Sequence, residues 1–378
     1  MPSAIPPSSA LAAQASGATL SAPTHAVPAD APLTVAGGGS AVHHMPALAS
    51  FLRGLGGQAA EAGQPGPGLG GALAAAISGR RLGDPGQAEL YAQEIAPLWT
   101  RPFAQLLLSQ APQLGKGTIL DLLCRAGEVG LPLVRRNPRA RLVAIDTSAA
   151  LLGLARQEAG SLVGKRVFLR GEKIQSKLPF DSEVYDLVVS NLGLLDVAEP
   201  RQFLRELLRV AKPGATVLAT LPLRDSFAEF HDLLTRLVGQ RPREAALLEG
   251  ARTSLPDALT LYSWALEAGL QDVAIVTQPF SLVFAGGPDF FFSPLIARGP
   301  LAAWLPALGE SEEGKQVAFT ELCAAIDQAA SGEGSGQTGA AFAVTIRAAC
   351  LRARRPLPPP ALSFDEDPEN APTRPGGF

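Results

Sequence analysis

Reactive side chains are scarce in this chain, and their scarcity narrows what it can do. Its 378 residues include three cysteines, two methionines and four histidines. The cysteines, Cys124, Cys323 and Cys350, stand far apart and form no pair at metal-ligand spacing, which excludes a zinc ribbon or a disulfide scaffold. Buried thiols in a reducing, cytoplasmic setting are the expectation. No apolar run of 18 or more residues is present, so no membrane-spanning helix is expected. No basic stretch precedes an apolar one at the N-terminus, where the first arginine is Arg53, so no targeting signal is read there. With 32 Lys and Arg against 35 Asp and Glu, the net charge of −3 carries no electrostatic footprint for nucleic acid. The cluster Arg135, Arg136, Arg139 and Arg141 falls at an expected helix end, which favours cations without any partner.

Charge is also missing locally. Asp30, Arg53, Glu61 and Arg80 are the four charged residues among the first eighty. Runs such as Gly37-Gly38-Gly39 and Pro65-Gly66-Pro67-Gly68 interrupt any helix, so residues 1–84 read as a flexible Ala/Gly/Pro-rich arm. Residues 354–378, with Pro356 to Pro360 and the acidic stretch Asp365 to Glu369, read as a disordered tail.

Between them, residues 85–353 alternate strand and helix patterns, the mark of a parallel sheet covered on both faces. Strands are expected at Gly117–Leu122, Arg141–Ile145, Val167–Arg170, Tyr185–Ser190, Thr216–Leu221, Asp272–Thr277 and Ala341–Ala348. Helices are expected at Ala149–Ala159 and Pro200–Val210, the latter stopped by Lys212-Pro213-Gly214. The most informative stretch is Thr118-Ile119-Leu120-Asp121-Leu122-Leu123-Cys124-Arg125-Ala126-Gly127-Glu128-Val129-Gly130. It is a buried strand, a turn and a helix start, the corner at which open α/β sheets bind nucleotides.

That stretch resembles motif I of class I S-adenosylmethionine (SAM) methyltransferases, apolar-Asp-x-Gly-x-Gly-x-Gly, with Asp121, Cys124, Gly127 and Glu128 in place. Arg141 to Ser148 resembles motif II. Phe168 to Glu172 resembles the adenine segment, and Leu178 to Asp181 with Tyr185 to Leu194 resembles motif IV of the small-molecule, type-11, quinone-type enzymes. Lys212-Pro213-Gly214-Ala215 resembles the family's Pro-Gly-Gly turn, and Tyr91 to Phe103 its cofactor-capping helix, where Trp99 also reads as packing. The resemblance implies a Rossmann-like, mostly parallel seven-stranded sheet whose last strand is antiparallel, with SAM as cofactor. It implies Asp121, Leu123, Gly127, Asp146, Thr147, Glu172 and Asn191 as cofactor-binding residues. Asp121 would serve the methionine end through the loop, Asp146 the ribose hydroxyls, and Glu172 the adenine amino group. For Asp146 the competing role is an N-cap of the following helix.

Leu123 and Arg125 replace the first two motif glycines, and Ala215 the last glycine of the turn. Either Arg125 turns to solvent with Leu123 packed under the helix, or the pair damages the cofactor site, since Arg125 brings a cation towards a sulfonium. Methyl transfer relies on positioning and needs a base only for a protonated acceptor. Asp196 and His231 are the weak catalytic candidates; no nucleophile–base pair or metal cluster competes. Phe280 to Leu308, rich in phenylalanine, reads as a lid over an apolar acceptor, a second core, or a docking surface for a protein. Two functions follow: a SAM-dependent methyltransferase for a small, apolar acceptor, or a catalytically impaired scaffold that binds a protein partner through residues 1–84 or 280–308.

Overall fold

Short stretches rich in Leu, Ile, Val and Ala form the central strands, as strands covered on both faces must. In the computed structural model these are β2 (Lys116–Leu122), β3 (Arg139–Asp146), β4 (Val167–Gly171), β5 (Tyr185–Asn191), β6 (Ala211–Pro222), β7 (Gln271–Phe284) and β8 (Phe342–Arg354). The structure describes residues 33–34, 68–77, 85–174, 177–239, 241–331 and 341–359. All lie in one compact unit running from Pro32 onward. A two-residue edge strand, β1 (Leu33–Thr34), pairs in parallel with β7 and makes the sheet eight-stranded.

The order is β1-β7-β8-β6-β5-β2-β3-β4. Strand β8 alone runs against its neighbours, with Cys350 opposite both Thr220 of β6 and Val276 of β7. This is the antiparallel insertion the resemblance implies. From β2 the chain moves outward through β3 and β4, then returns to β5 on the other side of β2. The order therefore reverses between β2 and β5, and a crevice opens beyond their carboxyl ends.

Alternation along the strands sends Ile119, Leu187 and Val189 into one apolar cluster and Leu120, Val188 and Val217 into the other. The first face is covered by α1 (Leu69–Ile77), α2 (Thr100–Gln110), α3 (Gly130–Arg136) and α4 (Ala149–Ala159). The short helix α5 (Gly193–Asp196) follows β5, and α6 (Pro200–Val210) covers the second face through Phe203, Leu204 and Leu207. On the first face again, α7 (Ala228–Val238) carries Phe230 and His231 into the core.

One expectation changes and another narrows. Helix α1 lies within the stretch read as a flexible arm, yet Leu69, Leu73 and Ile77 have no exposed surface. Its composition, LGGALAAAI, mimics a linker, but large apolar residues recur every fourth position and make one buried stripe. The rest of residues 1–84, apart from 33–34 and 68–77, lies outside the described residues, as does the tail beyond 359. Of the three readings of the segment from Phe280 to Leu308, the burial of its aromatics supports core. Phe284, Phe290, Phe291 and Trp304 are fully buried; the last three pack edge-to-face or tilted with Phe230, and Phe284 packs edge-to-face with Phe290, so these aromatics are core. Among the described residues no helix is long and apolar enough to cross a membrane, and no cluster of potential ligands could hold a metal ion.

Candidate functional site

The turn after β2 keeps the backbone of a glycine motif without its glycines. Leu123 (φ 58°), Arg125 (φ 51°) and Gly127 (φ 89°) are all left-handed. A side-chain-bearing residue in that region costs roughly 1–2 kcal/mol, so two are sustained here by their surroundings. Gly127 has no such latitude, because a Cβ would lie 2.8 Å from Leu131 Cδ1. Asp121 supports the turn from below. Its Oδ2 accepts the Gly130 N–H at 2.8 Å, satisfying one orphan donor at the start of α3. Burial pushes its carboxyl up to about 8, against the pull of that N–H. It is not among the residues that line the neighbouring cavity, so it positions the loop without facing the cleft.

Arg125 does not turn to solvent: it is 2% exposed and points inward. Its Nη1 donates to the carbonyls of Leu123 (3.1 Å) and Asn191, and its Nε donates to that of Ile77 (3.2 Å). Nη2 forms an ion pair with Asp196 Oδ2 at 2.7 Å. Burial opposes the guanidinium charge, but Asp196, Tyr91 and Asp146 outweigh it and hold the pKa above its ordinary value. The side chain thus spans the β2/β5 crevice and fastens α1 to it. Leu123 is 5% exposed and packs with the second apolar cluster.

Beside the guanidinium, Asp146 ends β3. Its Oδ2 accepts the Arg125 backbone N–H at 2.8 Å and its Oδ1 the Ser148 N–H at 2.9 Å. The N-cap role belongs to Ser148, whose Oγ accepts the Leu151 N–H at 3.2 Å. Two of the carboxylate's roughly four acceptor positions therefore stay available. Asp146 and Thr147 line a cavity of about 450 Å³ together with Leu123, Arg125, Ile174 and Asp196. Its remaining wall is apolar: Ala74, Ala75 and Ile77 of α1, and Leu195, Val197 and Ala198 after β5.

The other expected residues divide. Asn191 is buried by structural duties: its Oδ1 accepts from Thr220 Oγ1 at 2.6 Å and its Nδ2 donates to the Thr100 carbonyl at 3.1 Å. Only its carbonyl reaches the crevice, and Arg125 takes it. Glu172 pairs with Arg170 at 2.7 Å and is not among the cavity's lining residues, whereas Ile174 is. His231 is remote from the cleft's lining. Trp304 Nε1–H donates to its Nε2 at 3.0 Å within the aromatic core, and burial brings its pKa down to about 4. It is a core histidine, not a catalytic one. Tyr91 is fully buried, with its hydroxyl donating to Glu128 Oε1 at 2.9 Å, so it braces the turn. Trp99 stacks on Phe227 and also packs.

The cofactor implied by the resemblance meets a divided cleft. A cavity of 300–1,000 Å³ suits a small molecule, and Asp146 with Thr147 offers polar groups for a nucleoside. The crevice next to it is closed to the ammonium of an aminoacyl group while Arg125 holds the carbonyls of Leu123 and Asn191.

Comparison with known proteins finds a family model, the Methyltransferase domain, over residues 120–219. The chain is 32% identical over 175 residues to the demethylmenaquinone methyltransferase of Clavibacter sepedonicus, covering 43% of this chain and 69% of that protein. It is 29% identical over 170 residues to the enzyme of the same name from Deinococcus radiodurans, covering 43% and 67%. Among solved structures, the YcgJ protein of Bacillus subtilis aligns with a TM-score of 0.43 at 17% identity, covering 68% of this chain and 99% of that one. On the sequence match to a protein of which it spans 69%, this chain belongs to the class I SAM-dependent methyltransferase family.

Proposed function

We propose that this protein transfers a methyl group from SAM to a small, apolar acceptor. The observation that carries the reading is the cavity itself. A carboxylate with spare acceptor capacity, Asp146, stands on one side, and a wall of alanine, leucine, isoleucine and valine on the other. The first would hold the ribose hydroxyls and the second would exclude water from the reacting carbon and sulfur. The names of the two relatives point the same way, since a demethylated quinone is a small and largely apolar acceptor. Both relatives bear enzyme names, and neither lends weight to a scaffold without catalysis. Asp196 is engaged with Arg125, so we assign no general base. Three free cysteines support a reducing compartment.

Isothermal titration with SAM and S-adenosylhomocysteine tests the cofactor half of this reading. Asp146→Ala should weaken binding by about 1.5–3 kcal/mol, the worth of hydrogen bonds to a charged group. Equal affinity for the variant would remove the ribose assignment. A methyl-transfer assay comparing a demethylated quinone with a small polyanionic acid tests the acceptor half. Faster turnover of the acid would refute the apolar assignment.

A further inference from the structure

We infer that Arg125 decides how much of SAM this cleft admits, because its guanidinium occupies the crevice between β2 and β5 and must withdraw before the aminoacyl end, with its ammonium, can enter. The inference rests on reading the cleft as a cofactor site, and it concerns a residue for which the family's motif provides a glycine.

The crevice at the reversal of strand order is where open α/β sheets receive ligands. Two backbone oxygens face it, those of Leu123 and Asn191, and Nη1 of Arg125 donates to both. SAM carries an ammonium, a carboxylate and a sulfonium at one end and a neutral nucleoside at the other; the carboxylate meets a guanidinium already turned inward onto four protein acceptors, so it gains little from Arg125 as placed. An ammonium needs carbonyl or carboxylate acceptors, and the acceptors at this end of the crevice are already committed to a cation. Adding a second cation beside the first is opposed by repulsion and by competition for the same oxygens. Removing Arg125 from its place breaks four side-chain hydrogen bonds, one of them in a buried ion pair. The nucleoside end meets no such obstacle, since Asp146 and Thr147 line open volume next to the guanidinium. The latch also ties in α1, because the Ile77 carbonyl accepts from Nε at 3.2 Å. Withdrawal of Arg125 therefore loosens the C-terminal end of α1 from the crevice.

The test compares adenosine, which lacks the aminoacyl end, with S-adenosylhomocysteine, which carries the ammonium and carboxylate but no sulfonium. Calorimetric affinities for both are measured on the full-length wild type, on Arg125→Gly and on Arg125→Ala. In the wild type the two ligands should bind within about threefold of each other, or adenosine better. In either variant S-adenosylhomocysteine should gain at least about tenfold over adenosine, as its ammonium takes over the freed carbonyls. Glycine also relieves the left-handed backbone at this position, and alanine provides a second variant should glycine disturb the turn. A wild type preferring S-adenosylhomocysteine by more than about threefold overturns the latch while leaving the cofactor reading intact. Absence of binding of either ligand to all three proteins overturns both. Should neither variant fold, the wild-type ratio alone decides the matter by the same threshold.

Discussion

Arg125 and Asp196 are 2% and 7% exposed as side chains, which places an ion pair where water screens it little. Desolvation of two charges offsets much of their attraction, so the pair as a whole contributes modestly. Its halves are not dispensable one at a time. Asp196→Ala leaves a buried guanidinium without its carboxylate and should destabilise the protein by about 3–5 kcal/mol in urea unfolding. Adding Arg125→Gly should recover most of that loss, because the orphaned charge goes and a left-handed side-chain residue becomes glycine. A single-variant effect within about 0.5 kcal/mol would mean the pair is solvated. The strained turn itself was legible in the sequence, since Leu123 and Arg125 sit where the motif demands positive φ. The direction of Arg125 was not. It is set by Asp196 and Ile77, which lie 71 and 48 residues away, and no local pattern encodes such partners.

Strands and helices that carry their own periodicity were readable almost to the residue. Ala149–Ala159 and Pro200–Val210 are helices over those bounds, and β2 to β5 fall within two residues of expectation. β7 and β8 were underestimated because they continue past the apolar stretches, pairing along Gln271–Phe284 and Phe342–Arg354. Helix α1 was hidden by composition: glycine and alanine have opposite helix propensities, and a stretch rich in both looks like a linker. What makes it structure is tertiary contact, including the Gly70 N–H to Ser254 Oγ at 3.1 Å. Gly299 shows the same closeness, for a Cβ there would lie 3.1 Å from Ala76 Cβ. Leu73→Ala should therefore cost about 2–5 kcal/mol, the range for truncating a buried leucine. A loss below about 0.5 kcal/mol, the size of a surface substitution, would return α1 to the arm.

At the level of the whole molecule, two buried titratable groups set opposing pH dependences. Asp121 has its folded pKa raised from the ordinary 3.8 to about 8, so the native state holds a proton that the unfolded chain has lost. The stability it contributes is fully present below about pH 4 and declines as pH rises through about 8. His231 is shifted the other way, from 6.5 to about 4, so the unfolded chain binds the extra proton. Its contribution is present above pH 6.5 and is lost as pH falls through about 4. Between about pH 4 and 6.5 the two slopes oppose each other, and above 6.5 that of Asp121 stands without the histidine. Stability should then fall from pH 6.5 to 8, with Asp121 responsible for about 2 kcal/mol of the decline, from 1.36 kcal/mol per unit. Glu128 is also pushed up by burial, a shift of the same sign. Asp121→Asn keeps an acceptor for Gly130 and should flatten that part of the curve. His231→Gln keeps an acceptor for Trp304 and should remove an acid-side loss on the order of 3 kcal/mol while leaving the alkaline decline in place. Urea midpoints at pH 4.5, 6.5 and 8 for the three proteins separate these terms. An unchanged slope from pH 6.5 to 8 in Asp121→Asn would mean that Asp121 is ionised in the folded state, with its second oxygen hydrated.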